Sequence, residues 1–167
     1  MSMHPSSREL PRPPLAVAFD LADVRLSIDV QPEASFSGDL SWSAEALGNV
    51  LKNCMEHTPA GRCVRLRATE DALACRISIE DDGPGIAPED LPHVFERFYR
   101  GGHSAAKETE ALGRGSEVNP AGVGIGLSLA KSLIAAQGGT ITARNATDAN
   151  GRVTGARFDI TFFKTAV

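Results

Sequence analysis

Alternating hydrophobic and polar residues predict several β-strands along the chain. In residues 24–30, Leu26, Ile28 and Val30 share one side and polar residues the other, which is typical of a half-buried strand. The same alternation predicts strands at residues 64–68, 75–80 and 157–163, and we also expect a short strand at 34–37 and a strand at 140–143. Most of the sheet should therefore come from neighbouring strands joined by short connections.

Two other segments repeat hydrophobic residues at helical spacing. The first predicted helix has Ser41 or Ser43 as its N-cap and ends before Pro59. Its apolar stripe consists of Leu47, Val50, Leu51 and Cys54. The second predicted helix covers residues 123–137 and stops at the glycine pair that follows it.

The order of these elements predicts the fold class. Short connections between adjacent strands favour antiparallel pairing. We therefore expect an α/β fold, a two-layer α/β sandwich whose mixed, mostly antiparallel sheet carries its helices on one face. The proline-rich residues 1–14 are expected to be a disordered leader or an expression remnant, and residues 15–167 a single domain.

The composition fits one domain with a core of its own. The 167 residues are 42% hydrophobic and carry a net charge of −4, so there is no broad basic surface and we expect no nucleic-acid partner. No apolar run reaches the ~20 residues of a membrane span. The three cysteines lack C-x-x-C spacing and lie in apolar patterns, which favours buried free thiols over a metal site.

A polar stripe lies beside the apolar one on the first predicted helix. Glu45, Asn49, Asn53 and His57 follow one another at intervals of four residues and therefore share a face. A solvated helix surface is one interpretation. A Mg²⁺ site is the other, because asparagine is a mediocre helix former whose amide oxygen is a hard ligand suited to that ion.

Asp81 continues the buried side of the strand that contains Cys75, Ile77 and Ile79. A buried carboxylate needs a hydrogen-bond donor. The exocyclic amine of adenine is one candidate donor, and a turn in which the aspartate bonds its own backbone is the alternative. The glycines that follow in the turn allow a ligand to approach the backbone closely.

Two further segments carry candidate phosphate contacts. Residues 122–127 (GVGIGL) open the second predicted helix, where free backbone N–H groups favour anions. They lack the Lys-Ser/Thr of a P-loop, and Leu127 stands where a dinucleotide fingerprint needs its third glycine. Residues 95–100 (FERFYR) offer Arg97 and Arg100, which suit either a phosphate contact or plain solvation beside an aromatic anchor.

Together these segments resemble the catalytic domain of sensor histidine kinases, which belongs to the GHKL ATPase superfamily and has the Bergerat fold. Residues 49–59 (NVLKNCMEHTP) resemble the family's N box, and residues 81–86 (DDGPGI) resemble its first glycine box. Residues 95–100 resemble the F box and residues 122–127 the second glycine box. The ordered set spans residues 24–163 and is far more specific than any one motif.

The resemblance implies a site for ATP and Mg²⁺. In it, Asn53 would ligate Mg²⁺ and Asp81 would accept a hydrogen bond from the adenine amine. Asn49, Asn53 and Arg97 are the implied catalytic residues. The implied nucleotide-binding residues are Asn49, Asn53, His57, Asp81, Gly83, Gly85, Ile86, Phe98, Arg100, Gly122, Val123, Gly124, Ile125, Gly126 and Leu127.

Two departures from related proteins affect the implied mechanism. In the related ATPases, a glutamate one turn before the metal-binding asparagine activates water, and here that position is Asn49, an amide that cannot act as a general base. The resemblance therefore implies transfer of the γ-phosphate to a histidine instead of efficient hydrolysis. Glu56 stands where many members carry a phosphate-contacting lysine, so Lys52, Arg97 or Arg100 would have to compensate.

The chain lacks the family's phosphoacceptor motif, because none of its four histidines is followed by an acidic residue. We therefore expect a fragment of a larger kinase, monomeric by itself, with the acceptor histidine on a separate dimerisation domain of a homodimeric parent. A response regulator is the expected indirect partner. By family analogy we expect this fragment to lie in the cytoplasm and its parent to be anchored in a bacterial inner membrane. The same analogy implies that residues 101–121 form the ATP lid.

Two alternatives share the same motifs. One is a stand-alone serine kinase of the anti-sigma-factor type, although FERFYR and the long run from Gly122 to Gly139 fit histidine kinases better. The other is a non-catalytic module that senses nucleotide. The presence of Asn53 and of every expected glycine argues against it.

Overall fold

The computed structural model describes residues 14–99 and 125–164. In chain order the elements are α1 (Pro14–Leu21), β1 (Arg25–Val30), α2 (Leu40–His57), β2 (Cys63–Glu70), β3 (Ala74–Asp81), a short 3₁₀ helix (Leu91–His93), α3 (Gly126–Ala136), β4 (Thr140–Thr147) and β5 (Val153–Phe163). The expected leader, except Pro14, and the expected lid at 101–121 lie outside the described residues and stay predictions.

The five strands form one sheet in the order β1-β2-β3-β5-β4. β1 and β2 are parallel, with Leu26 opposite Val64. The other three pairs are antiparallel, and Ile160 of β5 lies opposite both Ile77 of β3 and Ile141 of β4. The predicted mixed, mostly antiparallel sheet is confirmed.

The hydrophobic core lies between one face of this sheet and the helices. Val50 and Cys54 of α2 and Ile134 of α3 are buried together with Ile79 and Phe158 of the sheet. The other face of the sheet is polar, because the outward positions of β2, β3 and β5 alternate with the buried ones. That face includes Arg65, Arg67, Ser78, Glu80 and Arg157. The predicted α/β sandwich with helices on one face is therefore correct.

The start of α2 differs from the prediction. Asp39 is the N-cap, and its side chain accepts a hydrogen bond from the Trp42 N–H at 2.8 Å. Ser41 and Ser43 are not caps, because both lie within the first turns of the helix. The Ser43 hydroxyl donates instead to Gln137 Oε1 at 3.1 Å. Gln137 also accepts the Asp39 N–H at 2.8 Å, so the end of α3 fixes the start of α2.

Residues 34–37 do not form the predicted short strand. The chain instead crosses one end of the core, where the Phe36 ring stacks on Phe162 with ring centroids 4.0 Å apart. This segment is thus attached to the core by an aromatic contact of Phe36 and not by strand pairing.

The first strand is less buried than its alternation predicted. β1 lies at the edge of the sheet, and Ile28 and Val30 are 62% and 47% exposed. Only the beginning of the strand is covered, where Phe19 of α1 and Val24 are buried. Helix α1 itself was not predicted. None of the helices in the described part of the chain combines the length and hydropathy needed to cross a membrane.

Candidate functional site

Asp81 is the last residue of β3 and is 2% exposed. Its Oδ1 accepts hydrogen bonds from the backbone N–H groups of Gly83 and Ala156, each at 2.9 Å. Burial, followed by the neighbouring Asp81 carboxylate, raises the pKa of the Cys54 thiol well above its usual value. The thiol therefore stays protonated beside a carboxylate that has capacity for further donors.

Close backbone approaches hold Asp81 in place. A Cβ atom added to Gly155 of β5 would lie 1.8 Å from the Asp81 carbonyl oxygen. A Cβ atom added to Gly83 would lie 2.4 Å from the carbonyl oxygen of His57, the last residue of α2. Only glycine fits at both positions, so the end of α2, the turn after Asp81 and β5 meet at backbone distance.

The far end of this turn is fixed by β4. Asn145 Oδ1 accepts the Ile86 N–H, and Asn145 Nδ2 donates to the Ile86 carbonyl oxygen, both at 2.7 Å. Gly85 has a φ of +81°, and a Cβ atom there would lie 2.4 Å from Val153 and 2.8 Å from the Asn145 amide oxygen. The turn at residues 82–86 is thus held at Asp81 by β5 and at Ile86 by β4.

The side-chain amide nitrogen of Asn49 on α2 is buried. Among the described residues, Asn49 Nδ2 is the buried side-chain polar atom that has no hydrogen bond. A Cβ atom added to Gly126, the first residue of α3, would lie 3.9 Å from Asn49 Cβ. The Asn49 amide therefore sits beside the start of α3, where backbone N–H groups favour anions. A phosphate oxygen would satisfy this amide, whose desolvation is otherwise uncompensated.

Asn53 lies one turn further along α2 and is half-buried. The backbone carbonyl oxygen of Asn53 lies 2.7 Å from His57 Nδ1, and this contact folds the exposed His57 ring back against the helix. Nowhere in residues 14–99 and 125–164 do three His, Cys, Asp or Glu side chains cluster to hold a metal. The Asn53 amide oxygen fits Mg²⁺ in the mode in which nucleotide phosphates and water supply most of the ligands.

The aromatic segment at residues 95–99 (FERFY) is held in place through Phe95 and Tyr99. The Phe95 ring packs edge-on against Phe158, with centroids 6.2 Å apart. The Tyr99 hydroxyl donates a hydrogen bond to Asp90, and this bond raises the pKa of Tyr99 to about 12. The 3₁₀ helix Leu91–His93 directly precedes this segment.

Arg97 and Phe98 lie on the surface of this segment. Phe98 is 60% exposed with a φ of +63°, and the Arg97 guanidinium lies over its ring, 5.3 Å from the centroid. The hydrogen bonds and ring contacts of the described residues do not link either side chain to Asn49, Asn53 or Asp81. Their implied roles stay predictions.

The structure connects many of the predicted site residues through the contacts above. They are Asn49, Asn53, His57, Asp81, Gly83, Gly85, Ile86 and Gly126. Ile125 and Leu127 flank Gly126, with Leu127 packed against the core. Arg100, Gly122, Val123 and Gly124 lie outside the described residues.

Sequence reasoning missed three residues that hold the site. Gly155 could have been found, because a glycine next to a predicted strand often marks close approach of another backbone. Ala156 acts through its backbone N–H and leaves no signal in the sequence. Asn145 has only a weak one, the rarity of asparagine in strands.

Asp82, the neighbour of Asp81, points to the polar face of the sheet. Its Oδ1 accepts a hydrogen bond from Arg65 at 2.7 Å, and its Oδ2 accepts the Cys63 N–H at 3.2 Å. The Arg65 hydrogen bond is the main cause that lowers the pKa of Asp82. Two adjacent carboxylates thus differ in environment: one is buried at the site and the other is ion-paired on the outside.

Asp82→Asn is expected to destabilise the fold by about 1 kcal/mol at neutral pH, because Arg65 loses a charged partner. Since the folded-state pKa of Asp82 lies below its unfolded value, this contribution is present above about pH 4 and is lost as the pH falls through the folded-state pKa. Urea unfolding at neutral pH and at about pH 3 should show the difference between wild type and variant shrinking in acid. If the free energies of unfolding of wild type and variant differed equally at both pH values, the ion pair of Asp82 with Arg65 would not be the source of the stabilisation.

Comparison with known proteins agrees with this geometry. Residues 38–166 match the family model described as histidine kinase-, DNA gyrase B-, and HSP90-like ATPase. The chain belongs to this ATPase family. That confirms the expected family, and the catalytic domains of sensor histidine kinases are among the proteins that this chain resembles.

Individual members of this ATPase family are similar over most of the chain. The sensor protein ChvG of Rhizobium meliloti is 37% identical over 131 residues, covering 76% of this chain and 21% of that protein. The structure of the mycobacterial sensor histidine kinase MprB has a TM-score of 0.70 at 27% identity and covers 92% of each chain. Full-length ShkA in complex with AMPPNP shares the fold, with a TM-score of 0.65 at 24% identity, over 92% of this chain and 29% of that one. The chain spans about a quarter of the length of the curated relatives it matches.

Proposed function

We propose that this chain binds ATP with Mg²⁺ and donates the γ-phosphate to a histidine on a separate dimerisation domain. The observation that carries the proposal is the buried amide nitrogen of Asn49 beside Gly126 at the start of α3, which has no hydrogen-bond partner among the described residues. A polar atom in that position calls for an acceptor that the described part of the chain does not provide. Membership of an ATPase family makes a nucleotide phosphate the natural acceptor.

In this proposal the base binds near the C-terminal end of α2, and the phosphates bind about two turns earlier, near the middle of the helix. Asp81 accepts a hydrogen bond from the adenine amine near the end of the helix, and Gly85 and Ile86 line the base. Asn49 and the glycines that precede and begin α3 hold the phosphates, and Asn53 supplies an oxygen to Mg²⁺. The bound ion would neutralise phosphate charge. The AMPPNP complex of the structural neighbour ShkA supports a nucleotide in a site of this fold.

The residues of this chain contribute positioning and electrostatics to the reaction. Because Asn49 is an amide, it cannot take a proton from water, which disfavours hydrolysis. It can hold the phosphate while the histidine nitrogen attacks in line, so that the bond between γ-phosphorus and the bridging oxygen breaks and ADP leaves. Many family members carry a phosphate-contacting lysine at the position of Glu56. Arg97 and Arg100 are the candidates for stabilising the transferred phosphoryl group in its place.

We place the chain in a larger two-component sensor kinase. The relatives are named sensor proteins, and the chain matches about a quarter of their length. The proposed parent is a homodimer anchored in a bacterial inner membrane, with this domain in the cytoplasm. Its phosphohistidine would then serve a response regulator.

Phosphotransfer in trans tests the proposed activity. The chain is mixed with the histidine-containing domain of its parent and with ATP labelled in the γ-phosphate. The expected product is an acid-labile phosphohistidine on that domain. Acid-stable phosphoserine on a partner would indicate the anti-sigma-factor type of kinase instead, and ATP binding without transfer to a matched domain would indicate a nucleotide-sensing module.

Asn53→Ala is expected to lower ATP affinity about ten-fold in the presence of Mg²⁺, because the ion loses its protein ligand. Affinity measured in EDTA should change little, since the base and phosphate contacts remain. Calorimetric titration with and without Mg²⁺ measures the two values. Ser41→Ala, a change at an exposed position in the first turn of the same helix, should alter neither. A loss of equal size in EDTA would mean that Asn53 does not act through the metal.

A further inference from the structure

We infer that Asn145, which lies outside all four sequence motifs, is a positioning residue that holds the adenine-binding turn in its binding conformation. The inference rests on the proposed nucleotide site and extends it to β4. The turn comprises residues 82–86. It is held at its start through the hydrogen bonds of the preceding Asp81 and at its end through those of Ile86.

The anchor at Ile86 is a reciprocal amide clamp. Asn145 Oδ1 accepts the Ile86 N–H and Asn145 Nδ2 donates to the Ile86 carbonyl oxygen, both at 2.7 Å across 59 residues of sequence. One side chain thus satisfies both backbone groups of a single residue. These groups belong to an irregular segment and are not part of the sheet's hydrogen-bond ladder, so the side chain takes the place of a strand partner.

The clamp also explains the close packing at Gly85. A Cβ atom on Gly85 would lie 2.8 Å from Asn145 Oδ1 and 2.4 Å from Val153 of β5. The turn therefore contacts both strands of the β4–β5 hairpin. The same hairpin holds Asp81, because the Ala156 N–H donates to Asp81 Oδ1 at 2.9 Å. Asn145 and Ala156 lie opposite each other in the register of these strands, so one strand pair sets both ends of the turn.

Without the Asn145 amide, the turn would keep the hydrogen bonds at Asp81 and lose the two hydrogen bonds at Ile86. Gly85 and Ile86 could then adopt several conformations, and ATP binding would have to order them at a cost in affinity. The phosphate contacts at Asn49 and the start of α3 lie on other elements and should be unaffected. The expected signature is a loss of affinity for the base without a loss for the triphosphate.

The first part of the test measures the clamp without nucleotide. Backbone hydrogen exchange of the Ile86 N–H should be slow in the wild type and at least about ten-fold faster in Asn145→Ala and Asn145→Leu, because both variants remove the oxygen that accepts this N–H. Asn145→Leu is nearly isosteric with asparagine and removes both the acceptor of the Ile86 N–H and the donor to the Ile86 carbonyl oxygen, with little change in packing volume. Asn150→Ala, in the exposed turn of the same hairpin, is the matched control. Unchanged exchange at Ile86 in a folded Asn145 variant would overturn the clamp.

The second part of the test measures how the Asn145 clamp affects ATP binding. Both Asn145 variants should bind ATP about ten-fold more weakly, whereas the affinity for tripolyphosphate with Mg²⁺ should stay within about two-fold of the wild type. Equal losses for both ligands, or wild-type ATP affinity despite fast exchange at Ile86, would overturn the positioning role. If the wild-type chain binds no ATP, both the nucleotide site and the positioning role fail, and the exchange data still decide whether the clamp exists. If Asn145→Ala does not fold, Asn145→Leu provides both readouts.

Discussion

Asp81→Ala is expected to abolish measurable ATP binding, with an affinity loss of at least about 100-fold. Asp81 is 2% exposed and is held by the N–H groups of Gly83 and Ala156, so it is pre-positioned as an acceptor for the adenine amine. Removing it takes away that acceptor and leaves two backbone donors without a partner. Isothermal titration calorimetry with ATP and Mg²⁺ measures the loss.

Asp81→Asn separates recognition from folding in this prediction. An asparagine can still accept the two backbone hydrogen bonds, but its Nδ2 would face the adenine amine as a second donor. ATP binding should therefore fall almost as far as in Asp81→Ala while the fold is kept. Asp82→Asn is the matched control, since its carboxylate pairs with Arg65 on the polar face and its ATP affinity should be unchanged. Similar affinities in the two asparagine variants would contradict the assigned role of Asp81.

Gly155→Ala is expected to have the largest effect on stability, a loss of about 3 kcal/mol together with the loss of ATP binding. The added Cβ atom would lie 1.8 Å from the Asp81 carbonyl oxygen and 2.7 Å from its carbonyl carbon, which are backbone atoms that cannot rotate away. Relief requires β3 and β5 to separate where the Ala156 N–H holds Asp81. Urea unfolding and ATP titration measure the two losses.

Gly48→Ala serves as the control for the glycine change. Gly48 lies within α2, and nothing lies within 4 Å of a Cβ atom added there. Alanine should therefore stabilise the helix by about 0.5–1 kcal/mol. A Gly155→Ala protein as stable as the wild type would show that β3 and β5 do not depend on this approach.

The sequence predicted the parts of the fold that depend on periodic patterns. The stripe of Val50, Leu51 and Cys54 predicted α2, and the alternation around Ile77 and Ile79 predicted β3, because both elements bury one face against a common core. The N-cap of α2 was missed, since serine and aspartate are equally good caps and the choice depends on where the chain enters the helix. The strand expected at residues 34–37 was wrong, because so short a segment carries little periodic information and Phe36 packs on Phe162 without strand pairing.

The candidate site was predictable where one side chain carries the chemistry. Asp81 was found because a carboxylate on a buried strand face is exceptional, and Asn49 because an amide on a helix stripe invites a ligand. The supports at Ala156 and Asn145 were not found, because a backbone N–H and a contact across 59 residues leave no local pattern. Sequence motifs thus indicated what touches the ligand, and the hairpin that holds those residues emerged from the structure.

Calorimetric titration of the wild-type chain with ATP, in Mg²⁺ and again in EDTA, tests the single pocket on which both the kinase proposal and the role of Asn145 depend. We expect saturable binding of one nucleotide per chain that weakens in EDTA and disappears in Asp81→Asn. A folded chain that takes up no ATP in either buffer, or that binds equally well with asparagine at position 81, would contradict the pocket described here.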